Sequence, residues 1–129
     1  LRKLRASYGG SPPDFVNAAA AAAWADDVHA ARRRQRFRRR KAIVLELVRD
    51  LGLEVVGADA TFYVWVRAPE GRTGLDLAEE LRGLGILVLP GAWLGATEAG
   101  RDWVRLAACP EEAEIRKAAA RWRAAWEVR

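Results

Sequence analysis

Thr61-Phe62-Tyr63-Val64-Trp65-Val66 forms the strongest β-strand signal in this chain of 129 residues. Each of its residues is β-branched or aromatic, and these classes fit the pleated, half-buried surface of a sheet. The run from Trp103 to Ala107 has the pattern of a second strand. Shorter apolar runs at Leu53 to Val56 and Ile86 to Leu89 indicate two more. The sequence therefore predicts a small sheet of about four strands.

The longest predicted helix precedes these strands. It runs from about Asp27 to Leu51, and Gly52 suits the C′ position that ends it. Its C-terminal half carries an apolar stripe with helical spacing, made by Ile43, Val44, Leu47, Val48 and Leu51. Towards the N-terminus the same face becomes rich in arginine, including Arg33 and Arg40. Because such a face does not fit a helix packed wholly inside one domain, we expect this helix to reach a second, more polar surface.

Shorter helices complete the pattern. Asp14 suits the N-cap of an alanine-rich helix, a second helix runs from about Gly74 to Gly85, and Pro110 suits the first position of the last helix. Pro90-Gly91 is typical of a type II turn. The order helices, strand, strand, helix, strand, strand, helix predicts an α+β fold, a small sheet covered on one face by helices.

Composition narrows the class of protein. Hydrophobic residues make up 51% and charged residues 30% of the sequence, as in ordinary soluble domains. No apolar run approaches the ~20 residues that a membrane span needs, so we expect no membrane partner. One cysteine, Cys109, and one histidine, His29, are too few for a structural zinc site, so we expect no metal and a cytoplasmic location. Because the chain starts at Leu1 and has no methionine, we expect it to be part of a longer protein.

The formal net charge of +5 is concentrated between Arg32 and Lys41. Such a basic run could bind phosphates and gain affinity by releasing counterions, which is one hypothesis for its function. A second hypothesis is a solvated or interdomain helix face whose arginines pair with carboxylates elsewhere in a larger protein. We prefer the second because Phe37 is the only aromatic in the run, and binders of single strands usually add several stacking rings.

Nucleophile-and-base patterns are weak in this sequence. The two serines, Ser7 and Ser11, lack the Gly-x-Ser-x-Gly context of a nucleophile elbow. His29 stands near the start of a helix, where a solvated side chain is the expected state. The loop from Gly91 to Gly95 has two glycines but lacks the lysine and hydroxyl residue of a phosphate loop. We therefore predict no catalytic residue in this chain.

Arg105 is the strongest candidate for binding a ligand. In the predicted strand, Arg105 shares a face with Trp103 and Ala107, while Val104 and Leu106 lie on the opposite face. An arginine between apolar neighbours is costly unless an anion meets it. A guanidinium can grip a carboxylate through two parallel hydrogen bonds. An edge-strand arginine facing water is the alternative.

A wider pattern surrounds Arg105. It consists of Gly85-Ile86-Leu87-Val88-Leu89-Pro90-Gly91, then Gly95, Gly100 and Trp103-Val104-Arg105-Leu106, with Ala60-Thr61-Phe62-Tyr63-Val64-Trp65 upstream. Together with the Ser11-Pro12-Pro13 loop, the basic helix and the closing helix, it resembles the C-terminal domain of class I/II aminotransferases, the pyridoxal-phosphate enzymes of fold type I. The surroundings of Trp65 and Trp93 are similar to those in bacterial aminotransferases of the diaminopimelate-pathway kind.

The resemblance implies an organisation and a role for Arg105. Residues 1–26 would connect to an N-terminal cofactor domain, and residues 27–129 would form the C-terminal small domain. The arginine that matches Arg105 binds the α-carboxylate of the amino acid or 2-oxo acid substrate. The family's cofactor lysine and phosphate-binding residues lie N-terminal to the matched region, and members are usually homodimers.

The resemblance also has gaps. None of the three lysines, Lys3, Lys41 and Lys117, has the context of a cofactor lysine, so we expect this chain to be inactive alone. Leu94 and Asp102 replace the phenylalanine and glycine that are frequent in relatives, which leaves the substrate side chain open. Two other functions remain as alternatives, a basic nucleic-acid-binding module at Arg32 to Lys41 and a regulatory domain that binds a small acid through Arg105.

Overall fold

The computed structural model of the chain describes residues 12–95 and 97–128. Within them lie four α-helices and four β-strands, in the order α1 (Asp14–Ala25), α2 (Asp27–Asp50), β1 (Val55–Val56), β2 (Tyr63–Arg67), α3 (Gly74–Gly83), β3 (Leu89–Pro90), β4 (Trp103–Ala107) and α4 (Glu112–Glu127). The first part of the predicted connecting segment, residues 1–11, lies outside the described residues. The predicted α+β class is confirmed.

The strands form one antiparallel sheet in the order β1-β2-β4-β3. One face of the two central strands is buried, through Val64, Val66, Val104 and Leu106. The residues that complete this core come from α2, α3 and α4; they include Val44, Leu47, Val48, Leu77, Leu81, Ile115, Ala119 and Trp122. In β2 and β4, the residues that alternate with the buried ones stay partly or fully exposed. Helices therefore cover one face of the sheet and leave the other open.

Glycines end two of the helices as the sequence predicts. Gly52 and Gly85 have φ angles of 67° and 71°, which residues with a Cβ rarely adopt. After α2, the N–H of Gly52 donates to the carbonyl of Arg49 at 2.9 Å, and the N–H of Leu53 donates to Val48 at 3.0 Å. This pair of hydrogen bonds is a Schellman motif, and it turns the chain from α2 into β1.

Three local predictions differ from the structure at the ends of elements. Asp14 is the first residue of α1, not its N-cap, which is Pro13. The last helix has Glu111 as its N-cap and begins at Glu112, two residues later than predicted from Pro110 at the first helical position. Pro90 and Gly91 do not form a type II turn, because that turn needs a positive φ at Gly91 and the chain instead starts a 3₁₀ turn there.

Strand β3 is also shorter than predicted. The run from Ile86 to Leu89 was expected to pair throughout, yet pairing is confined to Leu89 with Arg105 and Pro90 with Val104. The N–H of Ile86 instead closes the end of α3 by donating to Leu81 at 2.8 Å. Ile86, predicted as the first residue of the strand, thus belongs to the turn that ends α3.

The chain divides into two compact units within α2. One unit ends at Arg34 and the other extends from Gln35 onward. In the first unit, α1 buries none of its residues, and Asp26 caps the start of α2 by accepting a hydrogen bond from the N–H of His29 at 2.8 Å. The domain boundary predicted between residues 26 and 27 coincides with the break between α1 and α2 and stays a prediction. None of the helices in the described part of the chain is both long and apolar enough to cross a membrane.

Candidate functional site

Arg105 occupies the middle of the open face of the sheet. It lies on β4 directly opposite Trp65 of β2, while Leu89 of β3 is its partner on the other side. The alternation expected from the sequence is confirmed, because Val104 and Leu106 are buried and Arg105 is half-buried on the opposite face. Three paired strands hold its backbone, so the position of Arg105 is fixed by sheet hydrogen bonds on both sides.

The contact made by the Arg105 guanidinium is aromatic. Its central carbon lies 4.0 Å from the centre of the Tyr63 ring. None of the carboxylates among residues 12–95 and 97–128 forms an ion pair with Arg105. A guanidinium carries five N–H donors in a planar fork, and a ring contact does not satisfy them. Arg105 therefore presents a half-buried cation with donors available for a planar anion.

The loop before β4 closes one end of this face. Gly91 and Gly100 lie so close that a Cβ on Gly91 would stand 2.4 Å from the carbonyl oxygen of Gly100. The loop borders an open, mostly apolar groove of about 350 Å³ that also includes Trp65, Trp103 and Leu94. The sequence indicated a loop here, and the structure adds that backbone contact between Gly91 and Gly100 holds its base together.

Two residues flagged as departures from the family pattern have different surroundings. Leu94 lines the groove beside Trp65. Asp102 instead lies 3.8 Å from the guanidinium of Arg67, and its carbonyl accepts a hydrogen bond from Ala68 at 2.8 Å. Leu94 thus lines the groove together with Trp65, the strand partner of Arg105, while Asp102 helps to hold the end of β2.

Three arginines of the basic run pair with carboxylates of the same domain. Arg36 and Arg39 each lie 3.3 Å from a carboxylate, of Glu111 and Glu112 respectively. Arg40 is 5% exposed, ion-pairs with Glu111 and donates to the carbonyl of Cys109 at 2.7 Å. The interpretation that these arginines meet carboxylates elsewhere in a larger protein is therefore wrong for these three. These ion pairs connect α2 to the start of α4. They leave the three arginines less available to bind phosphates.

We expect this ion pair to make stability depend on pH. The hydrogen bond from Arg40, aided by the charges of Arg40 and Arg36, holds the pKa of Glu111 below its usual range. A lowered pKa stabilises the folded state above the ordinary glutamate pKa of about 4.3, and that contribution is lost as pH falls through the lowered value. Glu111→Gln should therefore be less stable than wild type at pH 7, and the difference should shrink to nothing in acid.

Urea unfolding midpoints measured from pH 7 to pH 2 would test this expectation. Glu112→Gln is the matched control, because its ion pair with Arg39 lies at the surface and exposed pairs contribute little. A difference between wild type and Glu111→Gln that persists unchanged in acid would contradict the assignment.

Neither described lysine is placed to hold pyridoxal phosphate. Lys41 donates to the backbone carbonyls of Ala58 and Asp59, and Lys117 pairs with Glu114 at 2.9 Å on the surface. Neither amine is free in a cavity, and Lys3 lies outside the described residues. The part of the chain that the structure describes also has no group of three or more His, Cys, Asp or Glu side chains able to hold a metal. Among the described residues, the Arg105 guanidinium is the group whose hydrogen-bond donors suit a planar anion.

Tyr63 is the site residue that sequence reasoning missed. Strand alternation puts it on the same face as Trp65, two positions away. Its contact with Arg105 depends on the register in which Tyr63 faces Ala107, which one strand alone does not reveal. Once the register of two strands is known, the signal is an aromatic residue diagonal to an arginine on the same face of the sheet.

Known proteins match the chain along most of its length. A family model described as aminotransferase class I and II matches residues 1–121. The 4-dedimethylamino-4-oxo-anhydrotetracycline transaminase of Streptomyces rimosus is 35% identical over 121 residues, covering 94% of this chain and 33% of that protein. An LL-diaminopimelate aminotransferase of Dehalococcoides mccartyi is 31% identical over 86 residues, 66% of this chain and 22% of that protein.

Solved structures agree with the sequence matches. The aromatic aminotransferase of Pyrococcus horikoshii superposes with a TM-score of 0.79 at 26% identity, covering 92% of this chain and 32% of that one. The chain thus spans about a third of the length of the Streptomyces and Pyrococcus proteins. From the family match, the relatives and the shared fold, this chain belongs to the class I and II aminotransferase family.

Proposed function

We propose that this chain is the C-terminal domain of a pyridoxal-phosphate-dependent aminotransferase, and that Arg105 binds the α-carboxylate of its substrate. Residues 27–129 would form the small domain, and residues 1–26 would connect it to a cofactor domain. The whole protein would move an amino group between an amino acid and a 2-oxo acid. It would act in the cytoplasm as a homodimer, without nucleic-acid or membrane partners.

The observation that carries this proposal is the state of Arg105. It is a half-buried cation in the centre of the open sheet face, and none of the described carboxylates pairs with it. The other described arginines that are wholly or partly buried, Arg40, Arg72 and Arg123, each form an ion pair with a carboxylate. An arginine left without an anion in such a place supports a ligand that brings the carboxylate with it.

Arg105 would act by binding and orienting the substrate. A carboxylate held by two parallel hydrogen bonds has its plane and direction fixed, which fixes where the α-carbon stands relative to the rest of the site. The cofactor, when bound, supplies the electron sink and carries the amino group. Since the described lysines are engaged elsewhere, we propose that the cofactor is held by the missing domain and that this chain is inactive alone.

A pair of assays tests this function. The full-length protein should transfer an amino group from an amino acid to a 2-oxo acid when supplied with pyridoxal phosphate, while the isolated chain of 129 residues should show no transfer. Calorimetric titration of the isolated chain with the same amino acids should detect no appreciable binding. Transfer by the full-length protein that does not need the cofactor would contradict the proposal. Clear binding of a small acid by the isolated chain would favour the regulatory-domain alternative.

A further inference from the structure

Tyr63 is placed to control the direction of the Arg105 side chain. The two residues lie on the same face of neighbouring strands, where Tyr63 faces Ala107 and Arg105 faces Trp65. They are therefore diagonal neighbours, a separation that an aromatic ring and a long side chain can bridge. The guanidinium lies 4.0 Å from the ring centre, well inside the range of a cation–π contact.

The Tyr63 ring is itself held by a row of aromatic rings. Its centre lies 4.4 Å from that of Phe62, which in turn lies 5.3 Å from that of Phe37 with the two planes only 28° apart. Phe37 belongs to α2, one turn before Arg40, whose guanidinium lies 6.0 Å from the Phe37 ring. Since the buried Arg40 is fixed by Glu111 and by the carbonyl of Cys109, the row begins at an anchored point.

The backbone also restrains Tyr63. Its N–H donates to the hydroxyl oxygen of Thr61 at 3.1 Å, and the carbonyl of Phe62 accepts a hydrogen bond from Ala108 at 2.9 Å. The backbone around Tyr63 is thus held by hydrogen bonds, and its ring is held by the contact with Phe62. A ring held in this way restricts the rotamers open to Arg105, and arginine otherwise loses much rotamer freedom when it binds a ligand.

We propose that Tyr63 is a positioning residue, which through the row Phe37–Phe62–Tyr63 holds the Arg105 guanidinium ready for the substrate carboxylate. The proposal rests on the proposed function of Arg105 and adds a residue that acts through it. The ring face restrains the guanidinium while its N–H edges remain free to donate. The phenolic hydroxyl has no part in this contact, so phenylalanine should serve in place of tyrosine.

The stack can be measured without any catalytic assay. In NMR spectra of the chain, ring current from Tyr63 should move the Arg105 side-chain protons upfield, with assignment by Arg105→Lys. The shift should remain in Tyr63→Phe and disappear in Tyr63→Ile, which keeps a β-branched residue in the strand. Ordinary, unshifted Arg105 resonances in the wild-type chain would overturn the proposal, and this outcome does not depend on how the Tyr63 variants fold.

The functional consequence is tested in the full-length protein. Tyr63→Ile should raise KM for amino and 2-oxo acids about 3- to 30-fold with little change in kcat, and Tyr63→Phe should restore KM. If Arg105→Ala raises KM but Tyr63→Ile does not, the positioning role is wrong and the proposed function stands. If the upfield shifts are present but Arg105→Ala leaves KM unchanged, the proposed function fails, and the positioning role that rests on it fails too.

Discussion

Replacing Arg105 by alanine is expected to raise KM for amino acid and 2-oxo acid substrates of the full-length protein by 100-fold or more. A guanidinium–carboxylate pair makes two charge-assisted hydrogen bonds, each contributing about 1.5–3 kcal/mol, and 1.4 kcal/mol corresponds to a factor of ten in binding. Because the carboxylate is held equally before and during reaction, kcat should change much less than kcat/KM.

Arg105→Lys separates charge from geometry. Lysine keeps the positive charge but lacks the planar fork of donors. The KM of Arg105→Lys should therefore fall between those of wild type and Arg105→Ala. Arg116, an exposed arginine on α4, provides the matched control, and Arg116→Ala should leave KM unchanged. Steady-state kinetics with the donor and the acceptor varied separately would measure all three variants. An unchanged kcat/KM in Arg105→Ala would refute the assignment.

Stability measurements distinguish a binding defect in Arg105→Ala from misfolding of the variant. Arg105 has no ion pair with the described carboxylates, so Arg105→Ala removes the contact with Tyr63 and leaves no buried charge unmatched. Its urea midpoint should therefore stay near that of wild type. A rise in KM together with a normal midpoint would locate the defect in binding.

Replacing Gly74 by alanine is expected to destabilise the chain by about 3 kcal/mol, at the upper end of the range for overpacking in a rigid core. A Cβ at Gly74 would stand 2.1 Å from the carbonyl oxygen of Trp103 and 2.7 Å from its carbonyl carbon. These are backbone atoms of β4 and cannot rotate away. Helix α3 would have to separate from β4, which would also break the hydrogen bond from Gly74 N–H to the carbonyl of Arg101 at 2.8 Å.

Gly83 offers a matched control in the same helix. A Cβ there would meet nothing within 4 Å, so Gly83→Ala should stabilise the chain by up to about 1 kcal/mol through helix propensity alone. Urea unfolding of both variants, followed by circular dichroism, would compare them. Equal effects of the two substitutions would show that the close approach of α3 to β4 does not exist.

The aromatic and β-branched strand around Val64 was predictable from the sequence, as was the strand carrying Arg105. Both signals are local, because alternation and residue class are read within a few positions. The extent of α2, from Asp27 to Asp50, was also nearly predictable, since Gly52 marks its end. The same alternation placed Arg105 opposite the buried face and made it a site candidate.

Local sequence patterns were therefore enough for the α+β class, for the bounds of β4 and nearly those of α2, and for placing Arg105 on the face away from the core. Tertiary structure decided what surrounds that arginine. The register of β2 on β4 brought Tyr63 to Arg105, and folding brought Glu111 to Arg40, residues that are far apart in the chain. Strand pairing and helix docking depend on long-range packing, which no short window of residues contains. The same reason explains why the mutual contact of Gly91 and Gly100 was missed.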